Sequence, residues 1–284
     1  MEQEIIERAI TATGAILNRH GLGYEQMKIL HRSNNLVLRP HPLPIVAKVA
    51  TGLDFQGRDP SLALAVATHL RALNVPCVAP AAILPVQVYG EAGFQATFWE
   101  YFEGESIEAP DRNQVLDLVL RLHQGLSSFH HDGLPRLETK FDDCIRRLEQ
   151  ASVPMPGLPA SDRTFLAGAL KELECRLENS SSVRSIIHGD CHPRNLLWNK
   201  QGTAKWIDFE AVCFGPIAWD YVFHFDEKDD IREAHGDVTE ILAAIMHACV
   251  ATWCREKVER TSQDQEAAEY HLAELKRKLA RASR

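Results

Sequence analysis

The sequence predicts an α+β protein of two lobes: a small antiparallel-sheet N-lobe at residues 1–103, with one helix before the sheet, and a larger helical C-lobe at 104–284. Three observations predict it. Short apolar, β-branched runs bounded by glycine and proline crowd the first hundred residues. Beyond them, apolar residues recur mainly at helical spacing. One span, Ser185 to Glu210, breaks that helical pattern with short strand-like pieces set around polar and titratable residues.

The elements follow in order. Ile5, Ile6, Ala9, Ile10, Ile16 and Leu17 form the apolar stripe of a first helix, which Gly21 and Gly23 stop. Strands are expected at Tyr24–Leu30, Asn35–Arg39 and Ile45–Ala50, the last two divided by the turn-rich PHPLP. Asp59 and Pro60 open a helix through Leu62, Val66, Leu70 and Leu73 that closes before Pro76. Pro85–Tyr89 and Phe94–Phe102 read as two more strands, with Gly90 and Gly93 in their turn. Polar Glu103–Pro110 reads as a crossing between lobes. Asp111 then caps a helix whose face is Val115, Leu116, Leu118, Val119, Leu122 and Leu126. SVPMPGLPAS is a loop, 162–178 a helix, and roughly 238–281 helical again, with Lys276, Arg277, Lys278 and Arg281 expected as a solvated helix end.

Bulk properties narrow the function. With 284 residues the chain can bury a sizeable core, and 45% apolar with 25% charged residues is ordinary globular composition. A net charge of −8 argues against nucleic acid as partner, since phosphate binding wants a basic face. MEQEIIERAI has neither the basic region nor the apolar core of a secretion signal, and the apolar run Ile241–Trp253 is interrupted by His247 and short for a bilayer. Seven scattered cysteines without a CxxC pair read as free thiols of a reducing compartment. The expectation is a cytoplasmic protein without membrane or nucleic-acid partners.

The chemistry sits in SIIHGDCHPRNLLWNKQGTAKWIDFE. Ile186–Ile187 leads to His188-Gly189-Asp190, and Asn195 follows Asp190 by five positions. Leu196–Trp198 and Lys205–Ile207 read as strands around a turn at Asn199–Gly202, and the second ends at Asp208. Protein kinases space a base Asp and a metal-binding Asn in this way, then add a metal-binding Asp. Mg²⁺ takes few, hard oxygen ligands from the protein, and Asn195 and Asp208 supply that type. Phosphoryl transfer needs positioning and charge neutralisation more than covalent help, and Asp190 is the residue type to orient a hydroxyl and accept its proton.

HGDxxxxN, IDFE and the later Trp219-Asp220 resemble the aminoglycoside phosphotransferase family and its choline kinase relatives, which have a protein-kinase-like fold. The likeness extends over most of the chain, through the strand VAKVA, the helix ending in LNVPCVAP and the linker-like WEYFEGES. It implies a small-molecule O-kinase using ATP (or GTP) and Mg²⁺. Asp190 would be the base, Asn195 and Asp208 the metal ligands, Lys48 the phosphate-binding lysine and Asp220 a brace for the catalytic loop. Backbone near Glu100–Phe102 would hold the nucleobase. In place of a glycine-rich loop, LHRSNNLVLR offers Ser33, Asn34 and Asn35 to the phosphates. Family members usually pair the strand lysine with a Glu of the next helix, but SLALAVATHLRAL contains no acid, and Ala63 stands near the expected place. Asp54 or Asp59 remain as substitutes, or Lys48 rests on the phosphates and Asp208.

Other readings compete with these. His188 and His192, with Cys191 and Asp190, invite a zinc site, but Gly189 and Pro193 disfavour the helix that would align the histidines. His188 reads as a core histidine, and His123, His130 and His131 are given no role. Trp219, Tyr221, Phe223 and Phe225 read as core before they read as a cage for a quaternary ammonium. The acids Asp142, Asp143, Asp226, Glu227, Asp229 and Asp230 read first as solvated surface; with the acidic balance and the family resemblance they favour a cationic, hydroxylated acceptor. A choline, amino-alcohol or sugar kinase and a nucleotide-binding pseudokinase are the alternatives.

Overall fold

The computed structural model describes residues 2–32, 35–50, 59–107, 110–222, 236–256 and 261–282. They fall into two compact units, Met1–His130 with His192–Val212, and His131–Cys191 with Cys213–Arg284. This division differs from the lobes read at residue 103, because the chain returns to the first unit after its excursion into the second.

The first unit starts with helix α1 (Glu2–Arg19). Strands β1 (Gln26–Arg32), β2 (Asn35–His41), β3 (Ile45–Ala50), β4 (Tyr89–Glu91) and β5 (Phe94–Glu100) form one antiparallel sheet in the order β1-β2-β3-β5-β4. Strand alternation decides what faces the core. Leu36 and Leu38 of β2 and Ile45, Ala47 and Val49 of β3 are buried with Ile6, Ala9, Ile16 and Leu17 of α1. Lys48, out of phase with Ala47 and Val49, therefore belongs to the opposite face, between Val37 of β2 and Thr97 of β5 in register.

Two sequence expectations shift here. Residues 85–88 are not strand; β4 begins at Tyr89, whose hydroxyl donates to the Pro85 carbonyl at 2.7 Å. Proline has no N–H for a ladder, so the strand starts after it. The β4–β5 turn is Ala92-Gly93, both at positive φ (50° and 85°), and Gly90 lies within the strand.

Helix α2 (Pro60–Ala72) begins as read: Pro60 occupies the first turn and the Asp59 carboxylate accepts from Ser61 N at 2.8 Å. It lies against helix α3 (Arg112–Leu126), where His69 Nε2 meets the Gly125 carbonyl at 3.0 Å. Asp111 caps α3 by accepting from Gln114 N at 2.9 Å. The hairpin of β6 (Leu196–Trp198) and β7 (Ala204–Trp206) completes the unit. Its turn is built by Asn199, whose side-chain oxygen accepts from Gln201 N and Thr203 N at 3.0 and 2.8 Å. Val78 N donates to Trp206 O (2.9 Å), Trp206 N to Pro76 O (3.0 Å), and the Trp206 indole to Leu118 O (3.3 Å). Gly104 is the position where glycine is needed for close approach: a Cβ there would stand 2.9 Å from the Trp198 carbonyl.

The second unit is helical around a two-stranded ladder of β8 (Arg184–Ile187) and β9 (Cys213–Pro216). Helix α4 (Glu138–Glu149) has no counterpart among the sequence expectations, although Phe141, Cys144, Ile145 and Leu148 give it a buried stripe. Arg163 of helix α5 (Ala160–Glu178) donates to the carbonyls of Arg147, Leu148, Gln150 and Val153, closing the α4–α5 loop. The C-terminal region is two helices, α6 (Asp237–Glu256) and α7 (Ser262–Ala282). Asp237–Arg255 is long and apolar enough to cross a membrane, longer than the run read from the sequence, yet Leu242, Ile245, Ala248 and Cys249 are fully buried in this unit's core. It is placed as a core helix. The basic end of α7 is only partly solvated: Lys278 is 8% exposed and lies 3.5 Å from Glu240 of α6.

Helices α6 and α7 also bring His247 and His271 together, Nδ1 to Nδ1 at 2.8 Å, a contact that holds one shared proton. Burial, then the His271 charge, pushes His247 down from 6.5 to about 4, with Lys278 and Arg277 acting in the same sense and Glu274 against it. Between those values the unfolded chain takes up a proton that the folded chain refuses, so stability falls as pH falls through that window. The melting temperature is expected to drop from pH 7 to pH 5, and His247→Phe to flatten that slope. Equal slopes for the two proteins would contradict the assignment.

Candidate functional site

Each unit carries part of the polar block read from the sequence. In the first, Lys48 Nζ lies 2.5 Å from Asp208 Oδ1 and 3.0 Å from Glu210 Oε1. The three side chains are 15%, 29% and 8% exposed, so the lysine is largely withdrawn from water. Burial by itself would lower the Lys48 pKa; the Asp208 and Glu210 carboxylates reverse the sign and hold it above its ordinary value. Lys48 is charged, and its charge is matched by the protein.

The local fold explains why these groups meet. The β6–β7 hairpin pairs Leu196 with Trp206, and Ile207 N donates to Asn195 O at 3.0 Å, bringing the backbones of Asn195 and the Asp208 segment side by side. Asn195 itself is buried at 6% exposure. Asp208 then adopts a left-handed conformation, φ 68° and ψ 57°, before the tight turn Phe209–Ala211. A non-glycine residue in this region is strained, and Asp is among the few that visit it. Phe209 is buried beneath the turn, which lies against α2. Asn35, the first residue of β2, donates from Nδ2 to Glu210 Oε2 at 3.2 Å.

In the second unit, Asp220 is fully buried and its two oxygens accept from His188 N (2.8 Å) and Gly189 N (2.9 Å). Gly189 has φ 75°, a conformation that favours glycine. Its carbonyl accepts from Lys140 Nζ of α4 at 2.6 Å and from the Trp219 indole at 3.0 Å. The backbone immediately before Asp190 is thus held by four donor–acceptor contacts. His188 is fully buried, and Trp219 and Tyr221 are core residues, Trp219 beside Phe141 at 5.6 Å between ring centroids.

Other expected positions separate from these. Ser33, Asn34, Asp54, Phe223, Phe225, Asp226, Glu227, Asp229 and Asp230 lie outside the described residues. The Glu100 carboxylate pairs with Arg71 at 2.6 Å, and the backbone N–H groups of Glu100 and Tyr101 donate to Ala79 O and Pro44 O. Phe102 is half-buried with Lys205 Nζ 5.1 Å from its ring centre. Asp143 is ion-paired with Arg146 and Arg147 of its own helix, and Asp142 is exposed. His192 uses Nδ1 to accept from Arg194 N at 3.1 Å, and among the described residues no three His, Cys, Asp or Glu side chains converge as a metal cage.

Two contacting residues escape the sequence reading. Glu210 had a signal, the acid of IDFE combined with an acid-free α2. Lys140 had none, since its partner is 49 positions away.

The oxygen donors of Asn195 and Asp208 suit a hard divalent ion that retains water, while the thiolate and imidazole ligands of a zinc site are not assembled among the described residues.

The model of a family described as "Phosphotransferase enzyme family" matches residues 32–248. No curated protein sequence matches the chain. Among solved structures, a microcompartment-associated aminopropanol kinase superposes with a TM-score of 0.69 at 18% identity, covering 95% of this chain and 98% of that one. Amicoumacin kinase hAmiN, in complex with AMP-PNP, Ca²⁺ and Ami, gives 0.66 at 15% identity, covering 98% and 96%. Choline kinase LicA from Streptococcus pneumoniae gives 0.66 at 15% identity, covering 94% and 98%. At these identities the likeness establishes a shared, protein-kinase-like fold.

Replacing Asp220 by Ala strands two buried N–H donors, and an unsatisfied buried donor costs about 1–3 kcal/mol. Asp220→Ala is therefore expected to lower unfolding stability by at least about 2 kcal/mol in denaturant titration. A loss within error would mean that water or a rearranged loop serves those donors.

Proposed function

The chain belongs to the phosphotransferase enzyme family, and from that premise we propose that it is a small-molecule O-kinase moving the γ-phosphoryl of ATP or GTP to a hydroxyl with Asp190 as base. The observation that carries this reading is the Lys48–Asp208 pair beside Asn195, with the HGD backbone separately held by Asp220. A lysine kept charged at that place is suited to triphosphate oxygens. Asn195 and Asp208 are the proposed ligands of Mg²⁺, which when bound screens phosphate charge. Asp190 orients the acceptor hydroxyl and takes its proton. Its backbone is fixed beforehand, so less ordering remains to be done during the reaction.

Further assignments are proposals of the same kind. Ser33 and Asn34 serve the phosphates, and the backbone of Glu100 to Phe102 holds the nucleobase, with the Glu100 carboxylate left on Arg71. Residues 1–103 and 104–284 act as the functional lobes. A cytoplasmic location fits the seven free cysteines. The intact Lys48, Asp190, Asn195 and Asp208 favour a working enzyme over a pseudokinase.

For the acceptor we propose a hydroxylated amine. The aminopropanol and choline kinases among the structural relatives support this, as does the net charge of −8. Nucleic acid and membrane are not expected partners.

Asp190→Asn is expected to lower kcat by about 10²–10⁴ while leaving the melting temperature and nucleotide affinity unchanged. Near-normal kcat would remove Asp190 from the role of base. The acceptor is sought by ADP release across hydroxylated amines, sugars and antibiotics. For the best one, kcat/KM is expected to fall with added salt, because long-range attraction between an acidic protein and a cation is screened. A salt-insensitive value, or a neutral sugar as best acceptor, would sink the cationic assignment alone.

A further inference from the structure

Resting on the kinase reading, we propose that Glu210 is the standing counter-ion of Lys48, taking in this chain the place of an acid on helix α2, and is thereby a positioning residue for the nucleotide triphosphate.

Helix α2 has no acid to give: its residues are PSLALAVATHLRA, and Ala63 is buried at 1% exposure. Asp59, just before it, spends Oδ1 on Ser61 N at 2.8 Å and Ser61 Oγ at 2.6 Å, which is the capping of the helix. Glu210 instead reaches Lys48 at 3.0 Å from the turn that packs against α2. The acid usually carried by the helix is thus delivered from the segment next to it.

Two carboxylates touch Lys48, and their surroundings divide the work between them. Asp208 is 29% exposed, whereas Glu210 is 8% exposed. Glu210 is also held at its second oxygen, where Asn35 donates at 3.2 Å. The more accessible carboxylate is suited to an incoming ion, and the clamped, buried one to a fixed lysine. Once the Asp208 charge is shared with a divalent cation, its pull on Lys48 weakens and cation–cation repulsion appears. Lys48 then keeps its place through Glu210, with its remaining donor capacity turned to phosphate oxygens. The arrangement also ties Asn35, which directly follows Ser33 and Asn34, to the same carboxylate.

The test compares wild type with Glu210→Gln, first by calorimetric titration with MgATP at several Mg²⁺ concentrations. The expected result is an affinity loss of about 10–100-fold, typical for removal of a group that orients a ligand holder, with the Mg²⁺ requirement unchanged. Adding Ala63→Glu to Glu210→Gln should restore part of the loss. A raised Mg²⁺ requirement with normal affinity at saturating Mg²⁺ would make Glu210 a metal ligand and overturn the proposal. Unchanged affinity throughout would overturn it as well.

Because position 63 is buried, a carboxylate introduced there can disturb the fold, and the double variant is a secondary arm. An independent one needs no nucleotide: acylation of Lys48 by an amine-reactive ester, read by mass spectrometry on folded protein. Glu210→Gln should raise the labelling rate of Lys48, and an unchanged rate would overturn the pairing. A wild type that binds no MgATP would refute the kinase reading, and the labelling would still decide whether Glu210 holds Lys48.

Discussion

A lysine ammonium largely withdrawn from water on the face of a sheet is tolerable only with a matching charge, and Lys48 meets that demand through Asp208 and Glu210. Strand alternation puts Lys48 opposite Ala47 and Val49, so the residue cannot turn to the α1 core. Its partners come from 160 positions later, on a hairpin that belongs to the same unit as the sheet. Breaking a largely buried ion pair by removing one partner costs about 3–5 kcal/mol. That is a large part of the stability of an ordinary domain, and the β6–β7 hairpin that carries the partners is itself tied to residues 76–78, Glu105 and Leu118. The strained left-handed backbone of Asp208 is held by the same framework.

The second unit repeats the device with backbone in place of a charged side chain. Asp220 is fully buried, and it is acceptable there because two N–H groups meet its two oxygens. The Gly189 carbonyl is met in turn by Lys140 and the Trp219 indole. Asp190 thus follows a segment with little freedom left. Tryptophan at 219 serves twice, as core against Phe141 and as a donor to the loop.

Elements with strong local signals were legible from the chain alone. The caps Asp59 and Asp111, the strands β2 and β3 on either side of a proline-rich turn, and the Asn199–Gly202 turn depend on residues within a few positions of one another. The HGDxxxxN and IDFE spacings likewise point to a phosphotransferase, the family the chain belongs to. Where local signals are weak or misleading, structure and expectation part. Gly90 has the chemistry of a turn residue but sits in β4, and the apolar stripe of α4 is masked in the sequence by the charged residues between its members.

What the sequence determined by itself is therefore the kind of fold, the family and the elements with strong local signals, all written in short-range spacing. Only the tertiary structure decided who balances whom. Glu210 rather than an α2 acid meets Lys48, Lys140 reaches the Gly189 carbonyl, and Lys278 turns inward to Glu240. These pairings join residues tens to hundreds of positions apart. Charge compensation in a buried place acts through space at a few ångströms, and short-range spacing does not fix which distant residue will be brought there.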